Sequence, residues 1–154
     1  MALPGPVGYR PRVDLHIAAF DELTPATLYA LLRLRVDVFV VEQRCAYPEL
    51  DGRDTEAGTR HLWTNRDGVP VGYLRILAEP DGGARIGRVC VAPSERGSGL
   101  GRRLIAAALD RLGGRPCVLD AQAHLTGFYG SLGFTATGPE YVEDGIAHVP
   151  MRRP

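Results

Sequence analysis

Six consecutive residues, Arg96-Gly97-Ser98-Gly99-Leu100-Gly101, combine a fixed positive charge with three glycines. An apolar run at 86–91 precedes them, and an amphipathic segment ending near Leu112 follows. The pattern predicts a strand, a glycine-rich turn and a helix. A helix N-terminus carries about half a positive charge and several unpaired N–H groups, so it attracts phosphate. Glycines let that backbone approach an anion closely. Two familiar phosphate loops fail on residue type. A Walker loop needs a lysine, and this chain has none: its 18 basic residues are all arginine. A dinucleotide fingerprint needs a third glycine, where Arg102 stands. A third pattern, R/Q-x-x-G-x-G/A, is matched in full by Arg96, Gly99 and Gly101.

Other chemistry is sparse. Cys45, Cys90 and Cys117 are odd in number and form no C-x-x-C pair, so reduced thiols in a cytoplasmic protein are expected. The histidines at 16, 61, 124 and 148 show no short metal-ligand spacing, and no metal is expected. The formal net charge of zero supplies no field for nucleic acid or an anionic membrane. No apolar run approaches the roughly 20 residues of a membrane span, and residues 1–12 lack the apolar core of a secretion signal.

Elements must hold the loop in place. Residues 1–12 read as a loose lead-in and 13–154 as one domain. A first strand is expected at 13–17. Thr24-Pro25 opens a helix with Leu28, Leu31, Leu32, Arg35 and Phe39 on one stripe. The polar stretch 44–59, with Glu49, Asp51 and Asp54, reads as a solvated loop. Strands at 61–64 and 69–78 flank a hairpin turn, and another strand covers 84–91. Leu100, Leu104, Ile105, Ala108 and Leu112 form the buried face of the next helix, with Arg102 and Arg103 outside. A strand at 116–119, a helix at 124–132 closed by Gly133, and a hairpin about Asp144-Gly145 complete the chain. The order β-α-β-β-β-α-β-α-β-β predicts an α/β (α+β) fold, a mixed sheet flanked by helices.

This order resembles the GNAT N-acetyltransferases, whose pyrophosphate loop has the pattern matched above. Phe128-Tyr129-Gly130-Ser131-Leu132-Gly133-Phe134 is similar to that family's F-Y-x-x-L-G-F segment and lies at the family's distance from the loop. The segments 34–45, 48–54, 60–62, 120–123 and 144–148 narrow the likeness to the ElaA-like branch. The resemblance covers about 28–151. It implies a mostly antiparallel sheet with splayed central strands, acetyl-CoA as co-substrate and an amine as acceptor. For this fold a homodimer through the C-terminal hairpin is a compatible arrangement.

The resemblance also implies roles. Val89 and Val91 would offer backbone groups to the cofactor arm, and Arg96, Gly97, Ser98, Gly99, Leu100 and Gly101 would hold the pyrophosphate. Arg102 would add charge, and Gln122 stands where the family often has a cofactor-side asparagine. Tyr129 aligns with the tyrosine that protonates the departing thiolate; a phenol titrates near 10 in water. Some members carry a glutamate base early in the fourth strand, where Arg85 stands here. His148, at a position where the family keeps a histidine, is the preferred base; Glu42, Asp51, His61 and Glu143 are the other candidates. The missing strand glutamate leaves a second reading open, a catalytically silent acyl-CoA-binding module. A third, another pyrophosphate ligand at the same loop, is weaker.

Overall fold

The computed structural model describes residues 14–154. The expected lead-in at 1–12 and Val13 lie outside the described residues. The chain begins with β1 (Asp14–Ala18) and α1 (Pro25–Arg35). Thr24 caps α1 by accepting the Thr27 N–H at 3.1 Å, and Pro25 supplies the preset φ of a first helical residue. The helix then loosens into a π-helical segment, Val36–Glu42, in which the Gln43 N–H reaches back to the Val38 carbonyl. The buried stripe keeps helical spacing but differs from the expected one. Leu31, Leu34, Arg35, Val38 and Phe39 are buried, while Leu28 and Leu32 are half-buried.

Next come β2 (Arg60–Arg66), β3 (Val69–Ala78) and β4 (Ala84–Val91). The β2–β3 turn places Asp67 at φ 50° and Gly68 at φ 77°. Two positive φ values in succession give the turn twist that strands prefer. Then follow α2 (Leu100–Leu112), β5 (Cys117–Gln122) and the short α3 (Thr126–Gly130). β6 (Thr135–Ala136), β7 (Tyr141–Glu143) and β8 (Ile146–Arg153) finish the sheet. β6 has no counterpart in the sequence reading, because two residues carry too little alternation to register.

The sheet runs β1-β2-β3-β4-β5-β8-β6, with β7 also on β8. All neighbours are antiparallel except β4 and β5. That parallel pair is held only at Ala84↔Cys117 and Arg85↔Val118, after which the strands part. The expected splay of the central strands is therefore present. Strand alternation sorts the core onto two faces. Leu62, Leu74, Ile76 and Ile86 meet α2 and α3 on one, while Trp63, Tyr73 and Cys90 meet α1 on the other.

The fit of α2 on the sheet depends on Gly72 in β3. A Cβ there would lie 2.8 Å from Leu104 Cδ1, 3.1 Å from Thr64 Oγ1 and 3.2 Å from Leu100 Cδ2. Leu104 is fully buried, so it has little room to yield. Gly72→Val is expected to cost about 1–3 kcal/mol by overpacking. Thermal melting should show a drop of about 2–4 °C per kcal/mol for a chain of this size; an unchanged midpoint would contradict this packing.

Candidate active site in the β4–β5 splay

The parting strands open a cleft of about 1100 Å³. Its wall includes Val89, Val91, Arg96, Gly97, Gly99, Leu100, Gly101, Arg102, Gln122, Tyr129 and His148. Residues from five elements and the loop, chosen from sequence, thus meet in one place. Ser98 is the exception. It lines an adjoining polar depression of about 400 Å³, and its hydroxyl donates to the Glu95 carbonyl at 2.6 Å.

β4 presents an open backbone edge to the cleft. The Ala92 N–H donates to Val71 O at 2.8 Å, toward β3. Alternation then directs the backbone groups of Val91 and Val89 the other way, toward the gap left by β5. A bulge sits just upstream. Tyr73 faces Cys90 and Arg75 faces Gly87, so Arg88 and Val89 together oppose Leu74. Arg88 takes a left-handed φ of 54°, uncommon for a residue with a side chain.

The loop after β4 ends at α2. Gly97 and Gly99 have φ of 79° and 82°, so the αL backbone there suits glycine. Among the described residues no carbonyl pairs with the N–H groups of Gly97, Ser98 or Gly99, and the first N–H groups of α2 have no helical partner. Gly101 leaves room, since a Cβ there would touch only Val91 Cγ2 at 3.7 Å. These features fit a diphosphate. Leu100 is buried and can offer only its backbone. Arg102 leans toward α3, donating to Ser131 Oγ at 2.8 Å over the Phe128 ring. Arg96 is held by Glu42 through both oxygens, at 2.6 and 2.7 Å, and its Nε donates to Val91 O at 3.2 Å.

Tyr129 sits on α3 between Phe128 and Phe134, both edge-on to its ring. Gly133 at φ 95° turns the chain so that the Phe134 N–H returns to Tyr129 O. Burial pushes the phenol up to about 12, and no described group hydrogen-bonds its hydroxyl. His148 faces Gln122 across β5–β8 and stacks on Tyr141. Its Nδ1 lies 2.8 Å from the Ile146 carbonyl. A carbonyl can only accept, so Nδ1 carries the proton and Nε2 of the neutral ring keeps its lone pair. Gln122 Nε2 donates to Gln43 Oε1 at 3.4 Å, joining β5 to the π-helical segment. Arg85 bridges the base of the splay, with Glu79 at 3.1 Å and Asp120 at 2.8 Å.

The stretch 44–59 departs from its expected solvated state. Glu49 and Asp54 are buried, and with Asp51 they face three arginines. Arg35, 1% exposed, reaches Glu49 Oε1 and Asp54 Oδ1, each at 2.8 Å. Arg75 holds Asp51 at 2.5 Å and Asp54 at 3.2 Å. Arg88, from the bulge, lies 3.1 Å from Glu49 Oε2 and 3.5 Å from Asp51 Oδ2. Tyr47 donates to Glu49 Oε2 at 2.5 Å beneath the Arg88 guanidinium. His61 completes the cluster. Its Nε2 donates to Asp54 O at 3.0 Å, so Nδ1 accepts from Tyr73 Oη at 2.6 Å. Sequence reasoning missed this cluster. The available signal was Arg35 within an otherwise apolar stripe, since a buried guanidinium requires carboxylates.

A family model described as an acetyltransferase (GNAT) domain matches residues 33–153. A UPF0039 protein of Mycobacterium tuberculosis is 52% identical over 137 residues, covering 86% of this chain and 88% of that protein. Protein ElaA of Escherichia coli is 42% identical over 146 residues, covering 91% and 94%. The ElaA crystal structure superimposes with a TM-score of 0.88 over 93% of this chain and 100% of that one, at 38% identity. An acyl-CoA N-acyltransferase from Pseudomonas aeruginosa superimposes with a TM-score of 0.86 at 45% identity, over 93% and 100%.

The buried cluster sets the response to acid. The hydrogen bond from Arg75 lowers the Asp51 carboxyl. Burial opposes the fall at Asp54, but Arg35 and Arg75 outweigh it. Burial also lowers His61. All three groups bind protons more weakly folded than unfolded, so their contribution is complete at high pH and is lost as pH falls. Urea unfolding should show stability declining below about pH 6.5, where an unfolded histidine protonates, and more steeply below about 4. Arg35→Met should cost about 3–5 kcal/mol by stranding buried carboxylates. Arg33→Met, which removes an exposed pair with Asp37, should change stability by less than about 1 kcal/mol.

Proposed function

We propose that this chain, which belongs to the GNAT acetyltransferase family and to its ElaA-like branch, transfers an acetyl group from acetyl-CoA to an amine. The observation that carries this reading is the open β4 edge leading into a loop of unpaired N–H groups at the start of α2. In this reading the loop 96–101 and the α2 N-terminus bind the diphosphate of CoA. Val89 and Val91 hydrogen-bond the pantetheine arm, with Gln122 on the facing strand. Arg102 adds charge at the rim.

Both substrates occupy the cleft together. The amine lone pair attacks the thioester carbonyl, the new C–N bond forms and the C–S bond breaks. His148 Nε2 accepts the amine proton, directly or through water. The Tyr129 hydroxyl gives its proton to the departing thiolate. Burial raises the Tyr129 phenol, which keeps it protonated and available as a donor.

Localisation in a reducing compartment is part of the same reading, consistent with three free cysteines. So is a homodimer through β7, which exposes Val142. Among the described residues no helix is long and apolar enough to cross a membrane. The alternative of a silent acyl-CoA-binding module draws on Arg85, whose guanidinium is ion-paired where other members carry a base.

Thiol release from acetyl-CoA across an amine panel separates the two readings: amine-dependent release supports transfer, and binding without release supports the module. Gly101→Glu should abolish acetyl-CoA binding in a folded protein by placing a carboxylate at the anion site. Tyr129→Phe should keep binding while slowing turnover by about 10²-fold. Wild-type turnover in that variant would reduce Tyr129 to packing. His148→Ala should keep acetyl-CoA binding while slowing turnover by about 10²-fold, and wild-type turnover in that variant would place the base elsewhere.

A further inference from the structure

The guanidinium expected to meet the diphosphate already holds an anion of the chain itself. Glu42 closes the π-helical segment and clamps Arg96 with both carboxylate oxygens, at 2.6 and 2.7 Å. Arg96 is fixed from behind by its Nε bond to Val91 O at 3.2 Å. Both residues line the cleft. Glu42 occupies both terminal nitrogens of that guanidinium, so a diphosphate arriving at the same fork competes with it. We propose that Glu42 is an exchangeable carboxylate: it pairs with Arg96 in the free protein, is displaced by the diphosphate of acyl-CoA, and then serves as counter-ion to the ammonium of the incoming acceptor.

This rests on the acyl-transfer reading above and adds to it a residue that selects a cationic acceptor. Two other carboxylates of the cleft, Asp51 and Asp120, are already committed to arginines. An amine arrives in water as an ammonium, since such groups titrate near 10. Asp51 is committed to Arg75 and Arg88, and Asp120 to Arg85. Glu42, by contrast, is about two-fifths exposed and, among the described residues, ion-pairs with Arg96 alone. Its neighbour Gln43 is anchored to Gln122, and Cys45 contacts the Asp144 carbonyl at 3.7 Å. The backbone around Glu42 is thus tied both to β5 and to the tip of the β7–β8 hairpin. Release needs only a side-chain rotation, and it leaves the carboxylate in the cleft that His148 also lines.

Two measurements on Glu42→Gln test this. Calorimetric titration with CoA should give tighter binding than wild type by about 2–5-fold, the scale of an exposed ion pair. The gain should vanish when Arg96→Gln is present in both proteins. With acetyl-CoA saturating, the amine giving the fastest thiol release should show a KM raised at least about fivefold, with kcat largely kept. Unchanged or weaker CoA binding by Glu42→Gln, or an unchanged amine KM, would overturn the proposal. Failure of the wild-type protein to bind CoA or to release thiol would instead refute the acyl-transfer reading.

Discussion

The buried exchange of charge between Arg35, Arg75 and Arg88 and the carboxylates Glu49, Asp51 and Asp54 underlies the architecture of the cleft. Three positive and three negative groups close on one another, so none is left as an isolated buried charge. The cluster joins α1, the long connection to β2, the middle of β3 and the β4 bulge. Without it a 16-residue polar stretch would have no reason to lie against the sheet. With it, that stretch becomes the wall of the cleft opposite β5. The Arg88 conformation follows: its left-handed backbone persists because its side chain is bound on two carboxylates and over Tyr47.

The bulge and the splay then act together. The β4–β5 pairing ends at Arg85, and the extra residue that β4 spends against β3 follows at Arg88–Val89 and bends the strand where β5 has left it. β4 keeps β3 and gives up β5. What results is a strand edge with free hydrogen-bonding capacity inside the molecule, normally a costly arrangement. It becomes stable when a ligand arm supplies the missing partners. The same economy applies at the α2 N-terminus, where an anion completes what the helix lacks. In this account both unsatisfied features serve one extended ligand, with its diphosphate at the loop and its thioester beside Val89.

Much of this was legible from sequence where the signal is local. The loop glycines, the Thr24 cap and the Asp-Gly turns each depend on a few adjacent residues, and each forms as read, whereas the helix expected at 124–132 is shorter, Thr126–Gly130, with Gly133 turning the chain beyond it. Failures came where the cause is distant. The π-helical segment has no residue signature of its own, and the buried stripe takes in Leu34 and Val38 while Leu28 and Leu32, equally apolar, are half-buried. Glu49 and Asp54 looked solvated because their partners lie 14 and 19 residues earlier and, for Arg75, across two strands. The candidate site was legible as a set of residues from the family likeness. The Glu42–Arg96 pair was not, since 54 residues separate its members and either alone reads as a surface charge.

The central claim is that the β4 edge and the 96–101 loop together receive acyl-CoA. Amide hydrogen exchange with and without acetyl-CoA reads it directly, since bound amides become protected. The account predicts new protection at Gly97, Ser98, Gly99 and the first turn of α2, together with Val89 and Val91, and little change at the β1–β2 side of the sheet. Protection confined to other segments, or none at saturating acetyl-CoA, would contradict it.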